Sequence, residues 1–436
     1  MKKILIYSHD TYGLGNIRRM LAIAESIQSQ RSDVSILLVS GSPMIHAFRL
    51  SPGIDYIKLP CVDRLENEKY EPKALKVSKK CILRLRRDLI SNTVVNFEPD
   101  LILVDKKPLG IDNELAPMIR RIRNLKKKPK LVLVLRDILD TPCKTIPIWT
   151  KHRYHDVIRD AYDRVLILGS TDVFNAVHEY SFPNYTAEKT FFCGYTNRSE
   201  TRRLPADVRE ELGIGDRRLV VVTAGGGKDG AHVVRAALQT IERFGRKFAD
   251  HCLLFLGPEM AEEQAHCYRA WASGLSSVTV KSFSRDFTSY LGAANAAVAM
   301  GGYNTVAEIL SLAVPAVIIP RTTPVSEQQI RAARLQRLGL VRSVLPDELC
   351  PEELLTAVTK AQNDHHSSDS VRYQLDLAAL ERVARHVDNL LSGDRLAGGP
   401  LINGYEPLAR KERLHATYAW NDSVLDELAA LPAGST

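Results

Sequence analysis

Short apolar segments alternate with longer segments of helical periodicity along most of the chain. Most of these segments are apolar at every position, which is typical of strands buried on both faces of a parallel sheet. The strands predicted in this way are residues 4–7, 36–39, 101–104, 131–135, 165–168, 219–222, 253–255, 278–280, 296–299 and 316–319. Helices are predicted at residues 17–28, 231–248, 304–312, 328–338 and 371–391. The alternation predicts an α/β fold with doubly wound parallel sheets.

One polar, charged and proline-containing segment divides this pattern. It reads GYTNRSETRRLPADVREELGI and separates the fifth predicted strand from a new series of β and α elements. We therefore expect two Rossmann-like domains facing each other across a cleft, at residues 1–196 and 207–385, with residues 197–206 as the linker. Residues 392–436 form a C-terminal extension to which the pattern assigns no structure.

The composition is that of an ordinary globular protein. The 436 residues exceed what one hydrophobic core usually serves, in agreement with two domains. The seven cysteines are scattered and form no C-x-x-C motif, which argues against zinc or a disulfide framework and for a reducing compartment. The first residues, MKKILIYS, contain too short an apolar run for a signal peptide, and no window approaches the ~20 apolar residues of a membrane span. We expect a cytoplasmic protein.

The net charge of +8 is concentrated in two basic runs, at residues 79–87 and 120–130. Such runs are most often the solvated face of a helix. The alternatives are contact with an anionic membrane, which would place the protein at the inner face of that membrane, or with a phosphorylated partner. Nucleic acid is not expected as a partner, because no aromatic residues interleave with the basic ones.

Polar residues and glycines collect where predicted strands end. In open parallel sheets ligands bind outside the carboxyl ends of the strands, so these residues are expected to line the cleft. The candidate proton acceptors at such positions are His9, Asp10, Asp105 and Asp137. For His9, a buried structural hydrogen bond is the alternative to catalysis.

Two glycine-rich segments are candidates for binding an anion. The segment AGGGKDG places Gly225, Gly226 and Gly227 between a strand and a helix, where backbone amides can approach a phosphate. It is not a P-loop, and a tight strand–helix turn is the structural alternative. The second segment, TYGLGN, brings Gly13, Gly15 and Asn16 to the end of the first strand.

The segment GGYNTVAE, which begins at Gly301, suggests a third site. Gly301 and Gly302 precede a predicted helix that carries Glu308. A carboxylate in this position can bind a ribose diol while the helix amides face phosphate. The spacing from Thr305 to Glu308 is equally that of a capping box, in which Glu308 would only bond the start of its own helix.

Residues 278–340, VTVKSFSRDFTSYLGAANAAVAMGGYNTVAEILSLAVPAVIIPRTTPVSEQQIRAARLQRLGL, resemble the donor-binding half of GT-B-type glycosyltransferases. They are most similar to the bacterial family that adds N-acetylglucosamine to lipid I. The resemblance is specific over this segment and loose in the N-terminal half. SHDTYGLGNIRR and LRDILDTP indicate a separate branch. In such enzymes the last helix, here residues 371–391, returns to the N-terminal domain.

The resemblance implies a role for each donor-side position. The donor diphosphate would be held by Gly301, Gly302 and the amides near Asn304 and Thr305, and the ribose by Glu308. Gln328 and Gln329 would contact the donor sugar. Phe283 would lie near the nucleobase, and the glycines from Gly225 to Gly227 would face a phosphate.

One position departs from the family pattern. Asn16 stands where a histidine is usual, and an asparagine cannot act as a base at neutral pH. If the reaction needs a base, it must be one of His9, Asp10, Asp105 and Asp137.

The predicted activity is inverting, metal-independent transfer of a sugar from a nucleoside-diphosphate sugar, with uridine as the expected nucleoside, to a hydroxyl acceptor. No Asp-x-Asp motif or other metal site is evident, and no cofactor is expected besides the sugar donor. The alternatives are a nucleotide-sugar 2-epimerase of the same fold and a non-catalytic nucleotide-sugar-binding protein. An NAD-dependent dehydrogenase is disfavoured, because the full glycine fingerprint is missing.

Overall fold

The computed structural model describes residues 1–10, 15–65, 69–364 and 375–393. The first half contains a parallel sheet with the strand order β3-β2-β1-β6-β7-β8-β9 and a small antiparallel pair, β4-β5. The strands are β1 Lys2–Ser8, β2 Val34–Ser40, β3 Ile54–Lys58, β4 Val62–Arg64, β5 Tyr70–Pro72, β6 Leu101–Asp105, β7 Lys130–Arg136, β8 Arg164–Leu168 and β9 Thr190–Phe192.

The second half contains a second parallel sheet, with the order β12-β11-β10-β13-β14-β15. Its strands are β10 Leu219–Thr223, β11 His251–Phe255, β12 Val278–Lys281, β13 Ala296–Ala299, β14 Ala316–Ile318 and β15 Arg342–Ser343. In both sheets the first strand of the half lies in the middle, and the strand order reverses beside it. This α/β architecture of two doubly wound sheets confirms the predicted fold class.

Helices cover both faces of each sheet. They are α1 Gly15–Gln30, α2 Lys79–Phe97, α3 Ala116–Arg123, α4 Pro142–Lys151, α5 Tyr154–Ala161, α6 Ala176–Glu179, α7 Asn184–Ala187, α8 Pro205–Glu211, α9 Ala231–Phe244, α10 Glu262–Ser273, α11 Phe287–Gly292, α12 Tyr303–Ser311, α13 Glu327–Arg337, α14 Pro351–Asp364 and α15 Ala379–Ser392. No helix in the described ranges has the length and apolar character needed to cross a membrane.

The central strands are continuously apolar because helices cover them on both sides. All five residues of β6, of β8 and of β10 are buried. The strands that sequence reasoning missed lie at or near sheet edges, where burial is incomplete. In β3, for example, four of the five residues are partly or fully exposed, so a continuous apolar run is not required there.

Two helix boundaries differ from the prediction by four residues or more. Helix α9 ends at Phe244 rather than at residue 248, because Gly245 adopts a φ of 51° and interrupts the helix. The last helix, α15, begins at Ala379 in the described residues rather than at residue 371. Residues 371–374 and the extension from residue 394 onward lie outside the described residues.

Helix α15 packs against α1 and β6, and therefore belongs spatially to the first sheet. Its buried residues Val383, Val387 and Leu391 join the same hydrophobic cluster as the core face of α1. The segment that leads into α15 runs beside the segment that leaves the first sheet. Thr196 and Ala378 form an antiparallel bridge there, and the Tyr195 amide donates to the Asp376 carbonyl at 2.8 Å.

Candidate functional site

A cleft of about 1650 Å³ lies between the two sheets. Segments that follow the carboxyl ends of β6 and β7 line one wall, and segments that follow β10, β12 and β13 line the other. The volume exceeds the ~300–1,000 Å³ of a typical small-molecule site. The cleft therefore has room for two reactants, one on each wall.

The loop between β10 and α9 brings three glycines to the cleft. Gly225 and Gly227 have φ angles of 62° and 100°, which strongly favour glycine. A Cβ atom on Gly227 would lie 2.7 Å from the Leu256 carbonyl oxygen, so this glycine is also needed for close packing. At Gly226 the nearest atom to an added Cβ is a carboxylate oxygen of Glu259 at 3.6 Å. An added Cβ atom on Gly225 would meet nothing within 4 Å, so Gly225 and Gly226 are the positions at which a ligand has room to approach the backbone.

The segment that joins β13 to α12 is a second place at which backbone amides can bind an anion. Gly302 is the N-cap of α12 and supplies no side chain to the free amides of the first turn. A Cβ atom on Gly302 would meet nothing within 4 Å, whereas one on Gly301 would press against Gln328 at 3.0 Å. Uncapped amides at a helix N-terminus attract an anion.

Glu308 lies in the second turn of α12 and its side chain is fully buried. Its Oε1 atom accepts a hydrogen bond from Arg18 Nη2 at 2.5 Å, and Arg198 Nη1 lies 4.0 Å away. Its Oε2 atom has no partner among the described residues. The capping-box alternative is wrong, because the helix begins at Tyr303 and its N-cap receives no side-chain bond.

The remaining donor-side candidates occupy different surroundings. Phe283, which is 46% exposed, lines the cleft. Gln328 lines it as well, and its Oε1 atom accepts from the Arg321 amide at 3.1 Å. Gln329 is not among the lining residues. Asn304 and Thr305 line the cleft, and Asn304 Nδ2 donates to the Gly15 carbonyl on the opposite wall at 3.0 Å.

Comparison with known proteins agrees with this geometry. Residues 219–389 match the family described as "Glycosyltransferase family 28 C-terminal domain". This range covers the second sheet and the helices after it. It includes the glycine loop, Gly302 and Glu308.

A curated relative of this chain is the UDP-N-acetylglucosamine–N-acetylmuramyl-(pentapeptide) pyrophosphoryl-undecaprenol N-acetylglucosamine transferase of Bacillus pumilus. The two are 24% identical over 205 residues, which are 46% of this chain and 56% of the relative. The chain spans about half the length of the curated relatives it matches.

Solved structures show the same fold over nearly the whole chain. Acinetobacter baumannii MurG covers 89% of this chain and all of its own, with a TM-score of 0.56 and 12% identity. The spinosyn forosaminyltransferase SpnP covers 90% of this chain and 99% of its own, with a TM-score of 0.61 and 11% identity. The chain therefore has the two-domain GT-B fold of glycosyltransferases.

The second half of the chain is joined to the first sheet by a buried ion pair. Arg331, on α13, donates from Nε and Nη2 to the two carboxylate oxygens of Asp137, both at 2.7 Å. Its third nitrogen, Nη1, donates to the Gly301 carbonyl at 2.6 Å. Tyr195 also donates to Asp137, at 2.9 Å. Asp137 is therefore fully engaged in a structural contact.

Asp105 is engaged in the same way within the first sheet. Arg19 Nη2 lies 2.5 Å from its Oδ1 atom, and the His9 amide donates to its Oδ2 atom at 3.2 Å. Neither Asp105 nor Asp137 is among the residues that line the cleft. An arginine holds each carboxylate, which disfavours proton transfer from an acceptor to either of them.

His9 and Asp10 are also buried and absent from the cleft lining. Burial and the nearby cations hold the pKa of His9 well below its ordinary value, and neither ring nitrogen has a partner in the described part of the chain. Asp10 accepts from Ser40 Oγ at 2.7 Å, and burial raises its pKa to about 6. Both residues directly precede residues 11–14.

The acceptor-side loop is described only from Gly15 onward, so Gly13 lies outside the described residues. Gly15 and Asn16 open α1 and line the cleft. The Asn16 amide nitrogen donates to the His9 carbonyl, and its Oδ1 atom accepts from Arg19 at 3.1 Å. Asn16 therefore holds the end of β1 against α1.

Sequence reasoning missed several charged residues of the cleft. Arg18, which holds Glu308, is separated from it by 290 positions, and nothing local to either residue indicates the pairing. Lys106 and Arg136 line the first wall. The signal that could have found them was their position directly after or at the carboxyl end of a predicted strand.

Proposed function

We propose that this protein is an inverting, metal-independent glycosyltransferase. It would transfer a sugar from a uridine-diphosphate sugar to an acceptor hydroxyl. The observation that carries the proposal is Glu308, a buried carboxylate that lines the cleft, is held by Arg18 through one oxygen and offers the other. It lies on α12, the helix whose uncapped amides face the same cleft.

The donor fits these groups in a definite order. The amides that follow Gly302 would receive the diphosphate, and the free oxygen of Glu308 would accept hydrogen bonds from the ribose hydroxyls. Phe283 would lie beside the nucleobase, and Gln328 beside the sugar that is transferred. As the diphosphate leaves, the amides and the helix dipole would stabilise the negative charge that develops on it.

The acceptor hydroxyl must lose a proton as it attacks the anomeric carbon. None of the four predicted bases is among the residues that line the cleft. Asp10 differs from Asp105 and Asp137 because it accepts a hydrogen bond from Ser40 instead of one from an arginine, and burial raises its pKa to about 6. Its Oδ1 atom has no hydrogen-bond partner in the described ranges. We assign the base role to Asp10, and the pH dependence described below tests it.

We further propose that the first domain contacts an anionic membrane at its cytoplasmic face. Three apolar side chains in and before α2 are exposed: Leu75 at 49%, Val77 at 41% and Leu85 at 43%. Lys80 and Arg84 are exposed beside them. Exposed apolar residues flanked by cations favour an anionic lipid interface. Arg86 of the same run is no part of this surface, because it is buried in an ion pair with Glu114.

Release of nucleoside diphosphate tests the activity. The purified protein is incubated with a panel of UDP-, dTDP- and GDP-sugars, with and without a lipid extract, and compared with Glu308→Gln. Glu263→Gln, an exposed glutamate on α10, is the matched control. Release that requires the extract and is lost only in Glu308→Gln supports the proposal. A 2-epimerase would change the sugar without net release, and a binding protein would do neither.

A further inference from the structure

Lys106 occupies an unfavourable position in the folded chain. It follows the last residue of β6 and has a φ of 71°, a left-handed backbone conformation that costs most residues free energy and that glycine adopts readily. The conformation is fixed, because the Lys106 amide donates to the Val134 carbonyl at 2.8 Å. Backbone geometry therefore gives no reason for a lysine here.

The electrostatic surroundings of Lys106 are unfavourable too. Its half-buried side chain makes no hydrogen bond or ion pair within the described ranges, and it lines the cleft. Burial, followed by the charges of Arg136, Arg64 and Lys107, lowers its pKa well below the ordinary value. The nearby carboxylate of Asp105 is already held by Arg19. Charging Lys106 is therefore unfavourable in these surroundings, and an anion beside its amino group would favour the charged form.

Arg136 faces the same space from the neighbouring strand. It is the last residue of β7, which pairs with β6, and it lines the cleft. Its Nε atom is buried without a hydrogen bond in the part of the chain that the structure describes. Its Nη1 atom lies 3.8 Å from Glu327, which is already bonded by Arg321 at 2.9 Å. The guanidinium therefore keeps donors available for a ligand.

We propose that Lys106 and Arg136 bind an anionic group, a phosphate or a carboxylate, of the acceptor. The assignment to the acceptor rests on the proposed function. It follows from the position of both residues on the first sheet, across the cleft from the α12 amides and Glu308. A donor diphosphate held by those amides leaves this pair of cations for the second reactant.

Titration calorimetry with inorganic pyrophosphate tests the site while UDP saturates the donor side. Pyrophosphate binds the wild-type protein under these conditions. Lys106→Gly and Arg136→Gln each weaken its binding at least tenfold and leave the affinity for UDP unchanged. Lys106→Arg keeps the affinity within about threefold, and Lys128→Gln, an exposed control, matches the wild type. Acetate in place of pyrophosphate distinguishes a carboxylate site from a phosphate site.

Lys106→Gly also separates binding from folding. Because glycine suits the backbone and removes a desolvated charge, the variant melts at or above the wild-type temperature while it loses the anion. Unchanged pyrophosphate affinity in Lys106→Gly would overturn the proposal. Pyrophosphate binding that UDP abolishes would also overturn it, because the anion would then occupy the donor site. Absence of UDP binding would contradict the proposed function alone, since Lys106-dependent binding of pyrophosphate would still support the anion site.

Discussion

Arg331 and Asp137 form a bidentate ion pair that is buried between the two sheets. The same arginine donates to the Gly301 carbonyl, so one side chain connects the first sheet to the loop that opens α12. The contact fixes the relative position of the two walls at the point where donor and acceptor would meet. A residue expected from sequence to act as a base thus belongs to the framework of the site.

The first prediction concerns the strength of this contact. Arg331→Leu should lower the free energy of unfolding by about 3–5 kcal/mol, because it leaves the Asp137 carboxylate buried without its partner. Urea denaturation measures the change. Arg334→Leu, one turn along the same helix, removes a half-exposed pair with Glu179 and should cost at most about 1 kcal/mol. Equal effects of the two substitutions would contradict the structural role of the pair.

The second prediction concerns Glu308. Glu308→Gln should weaken UDP binding by about 10- to 100-fold, since a hydrogen bond to a charged group contributes about 1.5–3 kcal/mol. Titration calorimetry measures the affinity, and Glu263→Gln serves again as the control. The same substitution should leave binding of inorganic pyrophosphate unchanged, because the ribose is absent from that probe. If Glu308→Gln weakened the binding of pyrophosphate and left that of UDP unchanged, Glu308 would contact a phosphate instead of the ribose.

The third prediction is a pH dependence. Asp10 is deprotonated above its raised pKa of about 6, so turnover should increase as the pH rises through 6 and Asp10→Asn should remove that increase. A rate profile from pH 5 to pH 8 measures it. A profile that is flat through pH 6 in the wild type would exclude Asp10 as the base.

The raised pKa of Asp10 should also make the free energy of unfolding depend on pH. Its pKa is higher in the folded protein than in the unfolded chain, so folding favours the protonated form. Its contribution to stability is fully present below about pH 4 and is lost as the pH rises through 6. At pH 8, Asp10→Asn should therefore be more stable than the wild type by up to about 3 kcal/mol. Chemical denaturation at pH 4 and pH 8 tests the sign.

The fourth prediction contrasts two neighbouring glycines. Gly227→Ala should destabilise the protein by about 1–3 kcal/mol, because its Cβ atom would lie 2.7 Å from the Leu256 carbonyl at a φ of 100°. Gly226→Ala has space for its methyl group, so its melting temperature should be unchanged while UDP binding weakens. If Gly226→Ala bound UDP as tightly as the wild type, this loop would not be part of the donor site.

The fifth prediction concerns the membrane. A variant with Leu75→Glu and Leu85→Glu should no longer sediment with vesicles of phosphatidylglycerol and phosphatidylcholine, whereas the wild type should. Leu204→Glu is the control, because Leu204 is 68% exposed and lies directly before α8, in the segment between the two halves. Binding should fall as salt increases, since the exposed lysines and arginines contribute to it.

The fold was predictable from sequence because its signals are local. A strand such as β6 is apolar at four consecutive positions, residues 101–104, since both of its faces are covered, and that pattern is visible in the sequence. Edge strands such as β3 and β15 are only partly buried, so their composition carries little information. The end of α9 depends on the backbone conformation of Gly245, which a glycine in the sequence allows but does not require.

The candidate site was only partly predictable, because its side chains depend on distant partners. The uncapped amides after Gly302 and the carboxylate of Glu308 follow from a short motif. Whether Asp105 and Asp137 are available depends on Arg19 and Arg331, and Arg331 lies 194 positions from its partner. The position of a residue at a strand end indicates where it lies, but not which charge already neutralises it.

The bridge between Thr196 and Ala378 has a mechanical consequence. In the part of the chain that the structure describes, the backbone passes between the two domains twice, and at this bridge the two passages are hydrogen-bonded side by side. Two connections at a single place act as one pivot, which permits the domains to rotate about one line and resists their sliding or separating. Any opening that admits a reactant must widen the cleft most at the edge farthest from this pivot. Loss of α15 would leave one connection, and side-chain contacts such as the pair of Arg331 and Asp137 would then have to hold the two walls at their present angle.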